Sequence, residues 1–320
     1  MVGLLGLFFL SGRSFSPEKP STSVLGKNNE AAKSLRSLAT SAQPLSAAPP
    51  APLGPAASSS LGSDEPSCWT KLNSELGDQS FRPTHLENLV GDWYLSEDDR
   101  TRAERPSSTE GKFILALARA GLLEGKRIEP DDEEALTLLD EVSEDDPGNS
   151  APFLYAAMIE GRRGNHERSA ELFAQAEKTD RFDSYMTSVA KSLFGQVRTS
   201  SDLIQAYGLW STLAIPDLIA LKNDLLNRGG KLFARQLMKS GLGDDSMIAD
   251  IEWFPLEYAI GKSLLNALEP NNAHPSYRQI LKLKNEKSSV SAEQVHSELQ
   301  SKCEASVLDP MVELLRSRLP

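Results

Sequence analysis

Apolar residues between positions 66 and 320 recur three and four residues apart, the spacing that collects them on one face of an α-helix. Phe113, Leu117 and Ala120 follow this spacing in one segment, and Leu203 and Tyr207 follow it in another. Three candidate capping boxes precede helical segments: Ser107…Glu110, Thr199…Asp202 and Ser291…Gln294. The sequence contains no Asn-Gly hairpin signal between alternating runs. The pattern therefore predicts an all-α body over residues 66–320.

The region before this body has a different composition. Residues 41–60 hold 6 Ala, 5 Pro and 5 Ser and no charged side chain. Such a stretch cannot bury enough apolar surface to offset the entropy lost on ordering its backbone. We therefore predict that residues 14–65 form a disordered Ala/Pro/Ser-rich linker. The prolines favour an extended, semi-stiff tether.

Residues 1–13 begin with nine apolar or Gly residues after Met1, which is too few to cross a bilayer. Three interpretations fit: an export signal, the second half of a membrane anchor, or a terminus that is disordered or docked on the core. The first two predict an exported or envelope-associated protein, periplasmic or membrane-anchored, and the third leaves a cytoplasmic protein as the alternative.

Cys68 and Cys303 are the only cysteines in the sequence. In an exported protein they could form one disulfide that closes a very long loop. The alternative is two unrelated, half-buried thiols. With four His and two Cys, a multi-ligand zinc site is nearly excluded, and no cofactor is expected.

The formal net charge is −11, and it is unevenly distributed. Residues 1–60 hold five bases and two acids, so the remainder is distinctly acidic. An acidic body disfavours binding to nucleic acid or to anionic lipid. Contact with a membrane is therefore expected only through the N-terminal segment, if at all.

Two helical segments repeat the same side-chain stripe at an offset of 34 residues. The matching pairs are Ala135 with Ser169, Leu139 with Phe173, Val142 with Ala176 and Asp146 with Asp180. A small residue lets the two helices of a pair approach closely, and the large apolar residue fills the groove beside it. The best repeat units run over residues 111–147 and 150–181.

This stride resembles the tetratricopeptide repeat family. Phe153 and Ala157 stand where the family favours Trp and Gly, Gly164–Asn165 occupies the turn between the helices, and Pro147 lies where a unit ends. The resemblance implies a right-handed superhelical stack of helical hairpins whose concave face receives a peptide or a partner protein. It assigns that face three residues: Leu154, Met158 and Arg162. The competing interpretation of Leu154 and Met158 is packing against a neighbouring helix.

Two other motifs were weighed as sites. Residues 129–146 contain ten acids and no base, but they lack the alternating acids and central Gly of an EF-hand loop. They are predicted to form a solvated acidic helix, with a docking face for a basic partner as the alternative. Residues 260–263 (Ile-Gly-Lys-Ser) resemble the end of a phosphate-binding loop, but Leu256 stands where that loop needs its first Gly.

Taken together, these patterns predict a non-catalytic scaffold or adaptor for protein–protein interaction, tethered at a bacterial cell envelope. The alternative is an all-α enzyme, such as a cell-wall-cleaving hydrolase or lyase with a lone catalytic Glu. A single acid in a helical cleft leaves almost no mark in a sequence, so the pattern alone does not decide between them.

Overall fold

The computed structural model describes residues 68–76, 81–95, 104–126, 128–240, 254–272, 274–275, 298–299 and 301–318. The predicted apolar start, residues 1–13, and the predicted linker, residues 14–65, lie outside this described part. The capping box predicted at Ser291…Gln294 also falls outside it.

The described part is mainly helical, as predicted. The helices of its first half are α1 (Cys68–Leu76), α2 (Thr84–Val90), α3 (Asp92–Leu95), α4 (Thr109–Arg119), α5 (Asp132–Asp145), α6 (Ser150–Arg162) and α7 (His166–Ala176). Those of its second half are α8 (Met186–Phe194), α9 (Ser200–Thr212), α10 (Leu218–Arg228), α11 (Lys231–Ser240), α12 (Phe254–Leu268), a 3₁₀ turn (Ala305–Leu308) and α13 (Asp309–Arg318).

Side-chain caps explain where several helices begin. Thr199 and Asp202 form the predicted capping box at the start of α9, since each side chain bonds the backbone N–H of the other. Before α4 the cap is Ser108, which accepts from the N–H of Gly111, so the prediction of Ser107 was one residue early. Asp131 caps α5 by accepting from two backbone amides.

One small sheet departs from the all-α prediction. Strand β1 (Leu123–Glu124) pairs antiparallel with β2 (Ile215–Pro216), with Leu123 opposite Pro216. The N–H of Asp217 extends the ladder by donating to the carbonyl of Leu122 at 2.9 Å. This pairing ties the long turn between α4 and α5 to the segment between α9 and α10.

The helices α4 to α7 pack consecutively, each on the next. The second helices of the two predicted units, α5 and α7, begin at Asp132 and His166, which are 34 positions apart. Ala135 and Ser169 are both buried at this offset, and so are Val142 and Ala176. Leu139 is buried and Phe173 is partly buried against the same core. The repeated stripe thus faces inward in both hairpins.

Consecutive packing of this kind does not continue from α7 to α8 within the described residues. Phe173 of α7 instead meets Phe233 of α11, with 5.1 Å between the ring centroids. The guanidinium of Arg228 lies 5.3 Å from the centre of the same Phe173 ring and donates to Ser169. Among the described residues, the packing of each helix on the next therefore extends from α4 to α7 and stops there.

A disulfide joins Cys68 in α1 to Cys303, with their Cα atoms 5.4 Å apart. It brings the two ends of the described part together across 235 positions of sequence. The pairing that the sequence left open is thus made in the structure. Among the residues described, none of the helices is both long enough and apolar enough to cross a lipid bilayer.

Candidate functional site

The residues predicted to line a concave partner face lie mostly inside the fold. Leu154 is 1% exposed, so it is a core residue and cannot contact a partner; this part of the prediction was wrong. Met158 is partly buried and packs against the core. Arg162 is the most exposed of the three, but it donates to the carbonyl of Ala120 and forms an ion pair with Asp132 at 2.6 Å. The alternative interpretation, packing between helices, describes Leu154 and Met158.

The loops before α6 and α8 are bonded to each other at the repeat offset. Asn149 is fully buried, and its Oδ1 accepts from the N–H of Ala151 at 3.0 Å and of Asp183 at 2.9 Å. Its Nδ2 donates to the carbonyl of Asp183 at 2.9 Å. Asp183, 34 positions later, accepts from the N–H of Tyr185 just as Asn149 accepts from Ala151. We refer to this bonded pair, Asn149 and Asp183, as the junction.

Charged and aromatic groups complete the surroundings of the junction. Asp146 forms an ion pair with Arg181 at 2.6 Å and accepts from the hydroxyl of Tyr185 at 2.8 Å. Tyr185 itself has a left-handed backbone with φ of 60°, which a non-Gly residue adopts only when its surroundings hold it there. Burial raises the pKa of the Asp183 carboxyl, and the N–H of Tyr185 opposes that shift in part.

Residues 129–146, predicted to form a solvated acidic helix, place several of their acidic side chains in ion pairs within the molecule. The six ion-paired acids of this segment and their partners are Asp132 with Arg162, Glu133 with Arg163, Glu134 with Arg119, Glu141 with Arg105 and Lys112, Asp145 with Lys112, and Asp146 with Arg181. The hydrogen bond from Arg105 lowers the pKa of Glu141. Because these bases come from the helices and loops on both sides of α5, the ion pairs link α5 to its neighbours. The other four of the ten acids are not in these pairs.

Under the enzyme hypothesis, Glu257 on α12 is the candidate catalytic acid, because its side chain is buried. It is 1% exposed, and its two carboxylate oxygens accept from the hydroxyls of Ser184 at 2.5 Å and Ser240 at 2.6 Å. These bonds join α12 to the end of α11 and to the loop before α8. A carboxylate so enclosed fixes helix positions and does not face a substrate in this conformation.

The Ile-Gly-Lys-Ser motif at residues 260–263 lies inside α12 and is not a loop. Gly261 faces α11 so closely that an added Cβ would stand 2.6 Å from the carbonyl oxygen of Ala234 and 2.9 Å from Met238. The Gly therefore serves the packing of α11 on α12, and its neighbour Lys262 is helical too. In the described ranges there is no group of three His, Cys, Asp or Glu placed to hold a metal ion.

A different surface carries features that the sequence analysis did not single out. Within the described part, the large apolar side chains that are exposed are Ile219 (44%), Leu226 (38%) and Leu232 (41%). All three lie in the short stretch 219–232, on α10 and at the start of α11. We call them the α10–α11 face. The signal was present in the sequence, because α10 carries apolar residues on more than one side, but the pattern does not reveal which side lacks a covering helix.

No family model matches this chain, and no curated protein and no solved structure resembles it at a significant level.

Proposed function

We propose that the chain is a non-catalytic adaptor built on tetratricopeptide-like helical hairpins, and that it binds a partner protein. The observation that carries the proposal is the constant stride of 34 residues. It relates the N-cap positions Asp131 and Asn165, the buried stripes of α5 and α7, and the two residues of the junction. Repeats of one helical hairpin build extended surfaces, and such surfaces are used for binding other proteins.

The internal use of the polar groups also supports an adaptor. Glu257 is enclosed by two serines, and most of the acids of α5 are held in ion pairs. These contacts link the helices to one another. The partner contact that we propose lies outside the face of Leu154, whose side chain is covered.

The adaptor is tested by affinity capture with the full chain as bait and quantitative mass spectrometry of the captured proteins. The matched control bait carries Leu226→Gln and Leu232→Gln, which leave the buried core unchanged. A partner that is enriched with the native bait and depleted with the control bait is the expected result. If no protein is enriched over background under several extraction conditions, the adaptor function is wrong.

We further propose that the protein is exported or envelope-associated. The disulfide between Cys68 and Cys303 supports this, because disulfides persist in oxidising compartments and are rare in the cytosol. Alkylation of the native protein, directly on cell lysis and without reductant, is the test. Two unmodified cysteines that become reactive only after reduction are expected, and two thiols that alkylate at once would place the protein in a reducing compartment.

One observation bears on the enzyme alternative, a cell-wall-cleaving hydrolase or lyase with a lone catalytic Glu, although the acid concerned is an Asp. Asp183 is only partly buried, yet burial raises the pKa of its carboxyl, as a general acid requires. Against this, its carboxylate is already engaged by the N–H of Tyr185 at 2.7 Å. Release of soluble fragments from a purified cell-wall polymer, lost in Asp183→Asn and kept in Asn165→Ala, would replace the adaptor by the enzyme.

A further inference from the structure

Two of the exposed apolar side chains of the α10–α11 face have a regular helical spacing. Ile219 and Leu226 are seven residues apart, which is two helical turns, so they lie on the same side of α10. Leu218, Leu221 and Leu225 are buried on the other side. The helix ends at Gly229, whose left-handed backbone (φ of 74°) turns the chain into α11, and Leu232 follows directly after that turn.

The same segment has a charge opposite to that of the body around it. Residues 218–240 contain five bases and one acid, in a chain whose formal net charge is −11. The single acid, Asp224, forms an ion pair with Arg228 at 2.8 Å. The side chains of Lys231 and Arg235 are 51% and 62% exposed, and both contact one further acid, Glu269. Bases therefore outnumber acids in the segment that carries these apolar residues, even with Glu269 counted.

We propose that the α10–α11 face binds an amphipathic segment of a partner protein, one that carries acidic side chains beside its apolar ones. Apolar residues of the partner would cover Ile219, Leu226 and Leu232, and its carboxylates would meet the excess bases of α11. This inference rests on the adaptor function and names the chemistry of its partner. A protein is favoured over an anionic membrane because the rest of the body is strongly acidic and would be repelled by a surface of that charge.

The accessibility of the face is tested first, in the full chain. Both native cysteines are in the disulfide. A Leu226→Cys variant therefore offers one reactive thiol, provided that no reductant is added. Rapid labelling of the folded variant with a fluorescent maleimide is expected. A thiol that labels only after unfolding would show that this chain covers the face itself, and would overturn the proposal.

Binding is then measured with a defined probe. It is a synthetic helical peptide with Leu at every third and fourth position and Glu at the flanking positions. A control peptide carries Lys in place of each Glu. Fluorescence anisotropy with the full chain should show binding of the acidic peptide, and an affinity about tenfold lower for the basic one. Leu226→Gln with Leu232→Gln, and separately Arg235→Glu with Lys239→Glu, should each weaken binding about tenfold. The matched control Lys178→Glu, an exposed base just after α7, should leave it unchanged.

Each contrary outcome is distinct. Equal binding of the two peptides would refute the role of charge, and no binding of either would refute the face as a peptide site. Binding to vesicles of phosphatidylglycerol without binding to the acidic peptide would assign the face to a membrane. Concentration-dependent dimerisation that is lost in the Leu226→Gln, Leu232→Gln variant would assign it to a second copy. If cellular partners are captured equally by that variant, the adaptor function stands and this surface is not its site.

Discussion

Replacing Asn149 by Ala tests whether the junction holds the two hairpins in register. The Asn149 side chain is fully buried and makes three hydrogen bonds, two as acceptor and one as donor. Ala removes all three at once. It leaves the N–H of Ala151 without its cap, and both the N–H and the carbonyl of Asp183 without their side-chain partner.

The expected loss in the free energy of unfolding follows from these three hydrogen bonds. Loss of an N-cap side chain costs about 0.5–2 kcal/mol. Each buried backbone group left unpaired costs about 1–3 kcal/mol. These terms overlap, because one side chain supplies all the bonds and a water molecule can replace part of them. We therefore expect Asn149→Ala to lower the free energy of unfolding by about 3–5 kcal/mol.

The matched control is Asn165→Ala, at the N-cap of α7. The Asn165 side chain is exposed, makes no capping bond and donates to the carboxylate of Glu160 at 2.6 Å. Its removal should cost no more than about 0.5 kcal/mol, as for most surface substitutions. Urea titrations followed by far-UV circular dichroism would give both free energies, with the denaturant slope expected to stay constant. Equal losses in the two variants, or a loss for Asn149→Ala below that of the control, would show that the junction does not stabilise the stack.

Three further predictions concern other contacts. Cys68→Ser with Cys303→Ser should lower the free energy of unfolding by about 5 kcal/mol, because the disulfide closes a loop of more than 200 residues in the unfolded chain; an unchanged urea midpoint would contradict this. Gly261→Ala should destabilise by about 1–3 kcal/mol through the clash with Ala234, although helix propensity alone predicts a gain of about 1 kcal/mol. A raised pKa means that folded Asp183 binds its proton more tightly than the unfolded chain does, so its contribution to stability falls as pH rises through the folded pKa. Asp183→Asn should therefore be the more stable protein at pH 7, with a difference that shrinks on acidification; a constant difference in thermal denaturation across that pH range would refute the assignment.

Local signals in the sequence predicted the helices well, because the physics that starts and stops a helix is itself local. Thr199 with Asp202 caps α9 as expected, and Gly164 lies in the turn of the second hairpin with a φ of 84°. The two-residue strands were missed because so short a pairing leaves no periodic pattern to detect. They are specified by contacts between segments that are far apart in the sequence.

The candidate sites were predicted less well, since exposure depends on neighbours that the sequence does not name. Leu154 was placed on a binding face and is in the core, whereas Ile219 and Leu226 were passed over and are exposed. All three are apolar residues at helical spacing, so composition cannot separate them. The junction, by contrast, can be recognised in the sequence, because Asn149 and Asp183 are separated by the same 34 residues as the repeated apolar positions.

In the hairpin stack that we propose, the end of the stack would explain why the apolar residues are exposed. A helical stack needs an end unit with one side that covers the last repeat and an outer side that is polar. Arg228 and Phe233 supply the covering side here, since both contact Phe173 on α7. Ile219 and Leu226 of α10 are nevertheless exposed. A unit that served only to end the stack would gain solubility from polar residues at those positions, and this is why we propose a partner that covers the apolar ones.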